Sequence, residues 1–405
     1  MLIKKYFSFI LLSVSVFAGN SQQSFHQQKQ LSFQEQRPVL PGAYQMDEYL
    51  PLLKGKKVGV VAIPASMVYD THLVDTLISS GVHVEKIFGP EHGFRGDQPD
   101  GKTVENENDP RTLIQVISLY GKNKKPSKAD LADIEVMLFD VQDVGARFFT
   151  YISTLSYVME ACAENNIPLI ITDRPNPNGF YVDGPVMEHG YTSFVGLHPV
   201  PIVYGMTIGE YGMMVDGEKW LKEGINCNLT VIKCKNYSHS SRFQFTQRPS
   251  PNLQTMNAIY LYPSLCLFEG TVVSIGRGTE NPFTVIGHPR YSAGSYHFTP
   301  HPIKGVSENP PLNGQDCYGS NLNEASGIIR EKGQIELFWL LEMYKVLGKQ
   351  TDFFNNYFDK LAGNNTLREQ IIQGLSEMDI RKSWQPGLDN FKKTRKKYLL
   401  YVDFD

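Results

Sequence analysis

Short apolar runs alternate with helix-spaced segments through the first two thirds of the chain. The clearest run, KVGVVAI at 57–63, is apolar at nearly every position, as in a strand buried on both faces. Residues 150–165 instead place Ile152, Leu155 and Val158 on one helical face. Repeated strand–helix–strand units build a mostly parallel sheet with helices on both faces, which is an α/β fold. The pattern predicts strands over 57–63, 84–88, 134–139, 168–171 and 229–233, and helices over 72–80, 150–165 and 207–221.

The amino-acid composition of the chain changes near residue 281. Pro, Gly, Tyr and Asn become frequent there, and two helices are then predicted over 334–347 and 367–376. This part is therefore predicted to be a smaller α+β domain. The basic stretch FKKTRKKYLLY at 391–401 could bind an acidic polymer. Its basic residues alternate with apolar ones, however, which favours a solvated helix face.

The first residues of the chain predict an export signal. Lys4 and Lys5 precede an apolar stretch over 7–17 that is shorter than a bilayer span, and small residues follow it. A buried N-terminal helix is the alternative. We expect an exported protein with no stable membrane anchor after cleavage, either periplasmic or secreted. The predicted organisation is a signal peptide at 1–20, a Gln-rich tether at 21–45, an α/β domain at 46–289 and the smaller domain at 290–405.

Charge and cysteine content remove several classes of function. The 39 basic and 42 acidic residues leave a net charge of −3, which predicts no nucleic-acid partner. The five cysteines are odd in number and include no CxxC pair, so we expect buried small side chains rather than a zinc site. No G-x-G-x-x-G follows the first predicted strand, and H-E-x-x-H and G-x-S-x-G are lacking. We therefore predict no cofactor and no metal.

Three predicted strands end in a carboxylate with an arginine close behind it. The segments that follow these strands are GPEHGFRG at 89–96, DVQDVGAR at 140–147 and TDRPNPNG at 172–179. Ligands of an open parallel sheet bind beyond the carboxyl ends of its strands, so these segments predict one cleft. Ordinary turn chemistry is the alternative for each segment alone. The candidate site residues in these segments are Glu91, His92, Arg95, Asp140, Asp143, Arg147, Asp173, Arg174 and Asn176.

Carboxylates are the candidates for the catalytic groups, because carboxylate chemistry without a cofactor is typical of glycosidic bond cleavage. Glu91 is the strongest candidate for a general acid, since it lies in a loop bounded by glycines. A helix cap or an ion pair with Arg95 is the alternative. Asp143 and Glu280 are the further catalytic candidates, and Glu280 comes from the segment GRGTENPF at 276–283.

Arginines and aromatic rings are the candidates for substrate binding. Arg147 and Arg174 could hold a substrate carboxylate bidentately, and structural pairs with neighbouring aspartates are the alternative. His92 is expected to hydrogen-bond behind the site rather than to act as a base. Tyr151 and Arg277 complete the set, since aromatic faces and cationic donors suit a sugar that carries a carboxylate.

Several long segments together resemble one protein family. They are GPEHGFRG, FDVQDVGARFFTYISTL, DRPNPNGFYVDGPV, YGMTIGEYG, SPNL, YPSLCLFEGT, GRGTENPF and RKKYLLY. In this order they resemble a bacterial family of exported exo-β-N-acetylmuramidases, over about residues 57–401. The resemblance implies a Rossmann-like domain, a smaller C-terminal domain and an active site between them, with the family's proposed catalytic glutamate at Glu91. It also implies release of terminal N-acetylmuramic acid from the non-reducing ends of peptidoglycan fragments, so the expected partner is a peptidoglycan-derived glycan or muropeptide.

One segment departs from the pattern of that family. After the first strand, members usually carry an Asn-x-Thr-type polar loop, whereas this chain has Ile-Pro-Ala-Ser-Met at 63–67. Because that strand end is expected to line the cleft, a non-catalytic periplasmic glycan-binding protein is the alternative function. The 2-acetamido group of the substrate could itself act as nucleophile, so substrate assistance and a protein nucleophile both stay open.

Overall fold

The computed structural model describes residues 37–91, 93–95, 107–245, 247–348 and 352–404. From Leu40 onward the chain forms one compact unit. The last residues of the predicted tether belong to this unit, because the Gly42 N–H donates to the Asp173 carbonyl at 2.7 Å and Leu40 forms a β-bridge with Lys235. The predicted signal peptide lies outside the described residues. None of the helices in the described ranges is both long and apolar enough to cross a membrane.

Twelve strands lie in the described part of the chain. In chain order they are β1 (Lys57–Ala62), β2 (Met67–Val68), β3 (Thr71–His72), β4 (His83–Gly89), β5 (Glu107–Asn108), β6 (Gln115–Ser118), β7 (Val136–Asp140), β8 (Leu169–Thr172), β9 (Leu229–Ile232), β10 (Val285–His288), β11 (Tyr296–Phe298) and β12 (Cys317–Asn321). All five predicted strands form, at β1, β4, β7, β8 and β9, with ends shifted by at most two residues from the predicted bounds.

The main sheet is doubly wound. Its order is β5-β6-β4-β1-β7-β8-β9, and all neighbouring pairs are parallel except β5 with β6. Counted along the chain, the six parallel strands follow the order 3-2-1-4-5-6 of the Rossmann fold. Val58, Val60 and Val61 of the central strand are completely buried, which explains why its sequence shows no polar alternation. The predicted α/β class is confirmed.

Ten helices accompany the sheets in the described residues. They are α1 (Met46–Leu53), α2 (Leu73–Ser79), α3 (Tyr151–Glu164), α4 (Ile208–Gly217), α5 (Met256–Leu265), α6 (Ser326–Lys332), α7 (Phe338–Leu347), α8 (Phe358–Ala362), α9 (Thr366–Ile372) and α10 (Glu377–Arg395). Short 3₁₀ turns occur at Gly42–Tyr44, Lys222–Gly224 and Cys266–Gly270. Helix α4 begins with a capping box between Thr207 and Glu210, and it ends before the predicted residue 221 because Lys219 adopts a left-handed φ of 61°.

The C-terminal part is mixed, as predicted. Strands β10, β12 and β11 form an antiparallel sheet in that order, and five helices follow it. The periodicity missed the longest helix, α10, because Pro386 and Gly387 lie inside it. Ser376 starts this helix by accepting the N–H of Asp379. The helix predicted over 367–376 therefore ends earlier, at Ile372.

The basic stretch at 391–401 begins in the last turn of α10. Lys393, Lys396 and Lys397 are exposed, as expected of a solvated face. Arg395 is instead buried, since it donates to the Gly205 carbonyl at 2.6 and 2.8 Å and pairs with Asp403 at 2.7 Å. This arginine therefore fastens α10 to the α/β part of the chain.

One hydrophobic core runs through both predicted domains. It contains Phe139 and Leu155 of the sheet side together with Leu340 and Phe358 of the C-terminal part. The boundary near residue 290 stays a prediction, because this core is continuous across it. The five cysteines are all buried and unpaired, which confirms the expectation for them.

Candidate functional site

A cavity lies beyond the carboxyl ends of the parallel strands. Glu91 reaches it two residues after β4, and Thr150 reaches it directly before α3. Tyr262 enters from α5, and Arg277 enters from the loop before β10. The described lining combines one carboxylic acid and one guanidinium with four aromatic rings. Its described residues are Glu91, Phe148, Phe149, Thr150, Ser250, Leu253, Tyr262, Arg277 and Phe283.

Glu91 is held in a tight turn after β4. The Gly93 N–H donates to the Pro90 carbonyl at 3.1 Å, and the Gly93 φ of 70° is one that glycine adopts without strain. The Thr150 hydroxyl donates to Glu91 Oε2 at 3.3 Å. Glu91 itself is half-buried, so its carboxyl group is both positioned and accessible from the cavity.

Tyr262 organises the aromatic wall of the cavity. Its ring centroid lies 5.3 Å from that of Phe148, 5.8 Å from that of Phe149 and 5.0 Å from that of Phe283, each edge to face. These are the preferred geometries of aromatic pairs, so the wall is rigid. Burial raises the pKa of the Tyr262 hydroxyl well above its usual value, which keeps that group neutral.

Arg277 is the cation of the described lining. It donates from Nε and Nη2 to the same oxygen, Glu269 Oε1, at 2.7 and 2.6 Å. Its guanidinium carbon lies 5.0 Å from the Phe283 ring centroid. Gly276 and Gly278 flank it with φ of 77° and 79°, and a Cβ on Gly276 would lie 2.5 Å from Val285. The backbone there therefore requires glycine, which explains the G-R-G sequence.

Asp140 and Arg174, two of the predicted binding residues, form a buried ion pair. Arg174 Nε and Nη2 donate to the two carboxylate oxygens of Asp140, at 2.8 and 2.7 Å, and Nη2 also donates to the Met67 carbonyl at 3.0 Å. Asp140 is completely buried and Arg174 is 5% exposed. The bidentate geometry predicted for a substrate carboxylate is thus used on an internal partner.

The crevice between β1 and β7, where the strand order reverses, is the usual ligand position in this fold. Here the Ser66 hydroxyl donates to the Asp140 carbonyl at 2.5 Å and accepts the Ile63 N–H at 2.9 Å. Ser66 is completely buried, and none of residues 63–67 is among the described lining of the cavity. The segment at 63–67, which was expected to line the cleft, instead lies bonded into the crevice between β1 and β7.

Residues 96–103, GDQPDGKT, match the pattern of a phosphate-binding loop, but they lie outside the described residues. Such a loop opens a helix, whereas the next described element is strand β5. Across the described ranges, no group of three His, Cys, Asp or Glu side chains is arranged to hold a metal ion.

Asp173 and Asn176 lie in a buried network behind the sheet edge. Asp173 accepts hydrogen bonds from Thr207 Oγ1 at 2.7 Å and from the Tyr401 hydroxyl at 2.6 Å. Burial raises the pKa of Asp173 to about 6. The Asn176 amide donates to the Met206 carbonyl at 2.7 Å. Both side chains fasten the start of α4 and the C-terminal end to the β8 loop.

Asp143 and Tyr151 also lie behind the cavity wall. Asp143 Oδ2 accepts the Gly145 N–H at 2.7 Å and a short hydrogen bond from the Tyr204 hydroxyl. Burial raises the pKa of Asp143 to about 6. The Tyr151 hydroxyl donates to the Pro249 carbonyl at 3.0 Å. These contacts hold the segments that carry the neighbouring lining residues.

Arg147 is completely buried. Its Nη1 donates to the carbonyls of Pro185 and Val200 at 2.9 and 2.7 Å, and its Nη2 donates to those of Leu361 and Ala362 at 2.8 and 2.7 Å. Burial lowers the pKa of Arg147 to about 9, so the group remains a cation at neutral pH. It joins the α/β part of the chain to the last turn of α8.

Two other predicted residues, Arg95 and Glu280, lie apart from the described lining. Arg95 pairs with Asp109 at 2.8 Å and with Asp75 at 3.1 Å, which uses its guanidinium within the protein. Glu280 is exposed and does not belong to the described lining. His92 lies outside the described residues. Of the twelve candidate residues, the structure therefore places Glu91 and Arg277 together on this cavity.

Seven lining residues and Glu269 were not candidates, although each lies inside or beside a segment that carries the family resemblance. Sequence position alone cannot rank them, because apolar and hydroxyl side chains carry no chemical signal until tertiary packing turns them toward a cavity. The seven are Phe148, Phe149, Thr150, Ser250, Leu253, Tyr262 and Phe283.

Two family models and several known proteins match this chain. The family model described as "Exo-beta-N-acetylmuramidase NamZ, N-terminal" matches residues 58–257, and the corresponding C-terminal model matches residues 260–401. A peptidoglycan beta-N-acetylmuramidase NamZ of Bacillus subtilis (strain 168) is 38% identical over 376 residues, which cover 88% of this chain and 89% of that protein.

Two solved structures of DUF1343 family proteins from Bacteroides fragilis NCTC 9343 share the fold. One superposes with a TM-score of 0.85 at 43% identity, covering 91% of this chain and 100% of the other. The second has a TM-score of 0.74 at 29% identity, covering 90% and 99%. The cavity draws Glu91 and Thr150 from the first matched region and Tyr262 and Arg277 from the second. With both family models matched in order along its length, the chain belongs to the exo-β-N-acetylmuramidase NamZ family.

Proposed function

We propose that this protein is an exo-acting glycoside hydrolase that releases terminal N-acetylmuramic acid from the non-reducing ends of peptidoglycan fragments. The Bacillus subtilis relative, a peptidoglycan beta-N-acetylmuramidase, supports the reaction class. The observation that carries the proposal is the position of Glu91, the one carboxylic acid in the described lining of an aromatic cavity.

Glu91 is proposed as the general acid. Its carboxyl group would transfer its proton to the glycosidic oxygen, which leaves with the rest of the glycan as its bond to the anomeric carbon of the muramyl sugar breaks. A water oxygen would form the new bond to that carbon, either directly or after a first displacement by the 2-acetamido oxygen or a protein nucleophile, and the proton that the water loses would restore the acid. The Thr150 hydroxyl, 3.3 Å from Glu91 Oε2, would hold the carboxyl group in orientation. The ring faces of Phe148, Phe149 and Phe283 would pack against the apolar C–H faces of the sugar.

The protein is also proposed to be exported from the cytoplasm. The charged start, apolar stretch and small residues over 1–20 support a signal peptide, and the substrate class occurs outside the cytoplasmic membrane. We place the protein in the periplasm, where it would act on glycan or muropeptide fragments during cell wall recycling.

A chromogenic β-N-acetylmuramide tests this function directly. The wild-type protein should release the chromophore, and Glu91→Gln should lower kcat by roughly 10²- to 10⁴-fold, as expected when a general acid is removed. The matched control is Glu223→Gln, because Glu223 is exposed and precedes β9, at the opposite edge of the sheet. It should retain full activity. Tight binding of N-acetylmuramic acid without any turnover would instead establish the glycan-binding alternative.

A further inference from the structure

Three arginines of the candidate set differ in what they bind. The terminal guanidinium nitrogens of Arg147 donate to four backbone carbonyls, and Arg174 is engaged with Asp140. Arg277 instead lines the cavity that contains Glu91, and 23% of its side chain is exposed. A substrate group of negative charge in this cavity therefore meets Arg277.

We infer that Arg277 recognises the lactyl carboxylate of N-acetylmuramic acid, and that Glu269 is the positioning residue that presents Arg277 to it. The inference rests on the proposed function, since it takes the muramyl sugar as the substrate. The lactyl ether is the chemical feature that distinguishes this sugar from N-acetylglucosamine, so the pair would determine specificity.

Glu269 is built on a rigid turn, Cys266–Gly270. The Asn355 amide group donates to the Glu269 carbonyl at 3.2 Å, and the Asn355 N–H donates to the Gly270 carbonyl at 2.9 Å. Helix α8 packs so closely that a Cβ on Gly270 would lie 2.4 Å from the Phe358 Cα. Because the backbone of Glu269 is held on two sides, its carboxylate can orient a neighbouring side chain.

The two bonds from Arg277 to Glu269 end on a single oxygen, Oε1. They fix the Nε–Nη2 edge of the planar guanidinium, and the ring of Phe283 limits its tilt. Removing Glu269 would therefore remove both bonds that hold this edge. Glu269 is not itself part of the described lining, so it would act through Arg277.

The charges around the cavity make this orientation important. Burial raises the pKa of Tyr357 above its usual range, and the nearby Cys266, Glu269 and Glu91 raise it further. Glu269 and Glu91 therefore both act on the Tyr357 hydroxyl. Arg277 pairs with Glu269 and lines the same cavity as Glu91. An anionic substrate group that approaches the Glu269 carboxylate is repelled by it, and it gains attraction from a guanidinium that is turned toward it.

The test compares kcat/KM for a chromogenic β-N-acetylmuramide and for its lactyl methyl ester, which keeps the shape and removes the charge. The wild-type protein should prefer the acid by roughly 10- to 100-fold, the range of a charge-assisted hydrogen bond. Arg277→Met should reduce this ratio to about one. Glu269→Ala should reduce it through KM rather than kcat, and Glu269→Gln, which keeps an acceptor oxygen, should recover part of it.

Arg330→Met is the control, because Arg330 also lies over an aromatic ring, Tyr260, but outside the described lining. It should keep the wild-type ratio. Equal losses on acid and ester in Arg277→Met would overturn the assignment of Arg277, and equal losses in Glu269→Ala would reduce Glu269 to a structural role. Arg277→Lys, which keeps the charge without the planar fork, should restore part of the ratio and guards against a folding defect.

A failure of the proposed function can be distinguished from a failure of the assignment of Arg277. If the wild-type protein cleaves neither substrate, calorimetry with N-acetylmuramic acid and its methyl ester still measures the preference. A preference for the acid that Arg277→Met removes would support the inference, and equal affinities in the wild-type protein would overturn it.

Discussion

Replacing Arg147 by methionine separates its predicted role in substrate binding from the role that the structure shows. Methionine keeps much of the apolar stem and removes the guanidinium. The four carbonyls of Pro185, Val200, Leu361 and Ala362 would then lose donors at 2.7 to 2.9 Å. Arg147 is completely buried, so water does not replace those donors without local opening.

The magnitude follows from these contacts. An unsatisfied buried acceptor costs about 1–3 kcal/mol, so four of them cost about 4–12 kcal/mol before any relaxation. Removing a buried charge offsets part of that cost, since its desolvation penalty disappears. We expect a net loss in the lower part of that range, of the order of 4 kcal/mol, which is a large fraction of the roughly 5–15 kcal/mol stability of a typical domain.

Equilibrium unfolding in urea, followed by tryptophan fluorescence and circular dichroism, measures this loss. The matched variant is Arg277→Met, because Arg277 is partly exposed and lines the cavity. It should lower stability by about 1–3 kcal/mol, less than Arg147→Met, because it removes bonds to one partly exposed carboxylate rather than to four buried carbonyls. A variant Arg147→Met with wild-type stability and weakened binding of N-acetylmuramic acid would refute the structural reasoning and restore the substrate role.

Two further predictions concern the buried carboxylates. Burial raises the pKa of Asp143 from 3.8 to about 6, so its contribution to stability is complete below about pH 4 and is lost as pH rises through 6. Raising the pKa from 3.8 to about 6 corresponds to about 3 kcal/mol of stability. In urea titrations at pH 4 and pH 7, Asp143→Asn should therefore lose about 3 kcal/mol less stability between the two pH values than the wild-type protein, and an unchanged pH dependence would contradict this. Tyr401→Phe removes the 2.6 Å hydrogen bond to Asp173 and the acceptor of the Cys234 N–H at 2.9 Å. It should cost about 1–3 kcal/mol, measured as a lower melting temperature, and an unchanged melting temperature would show that these two bonds contribute nothing.

Local sequence patterns were sufficient to predict most strands and helices of the α/β part. The run at 57–63 became the central strand because every residue of a strand covered on both faces can be apolar. Helix α10 was missed, since Pro386 and Gly387 interrupt a pattern that tertiary packing of Ile380, Trp384 and Leu388 nevertheless stabilises. Propensity is a weak prior, and burial outweighs it.

For the site, the sequence predicted a catalytic glutamate beyond a strand end, and the structure places Glu91 on the cavity. The sequence did not show which of the candidate arginines faces the cavity. Arg147, Arg174 and Arg277 all follow or flank glycine and carboxylate residues in similar segments. What distinguishes them is their partners, and those lie up to 215 residues away along the chain.

By itself, then, the sequence determined the α/β class, the alternation of its elements and the family segments, because these depend on periodicity and on neighbours along the chain. Only the tertiary structure decided which charged groups face the cavity. Asp140 and Arg174 neutralise each other in the interior, whereas Glu91 and Arg277 remain on the lining. A buried charge must find its partner in three dimensions, so only the folded chain shows which charged groups reach the cavity.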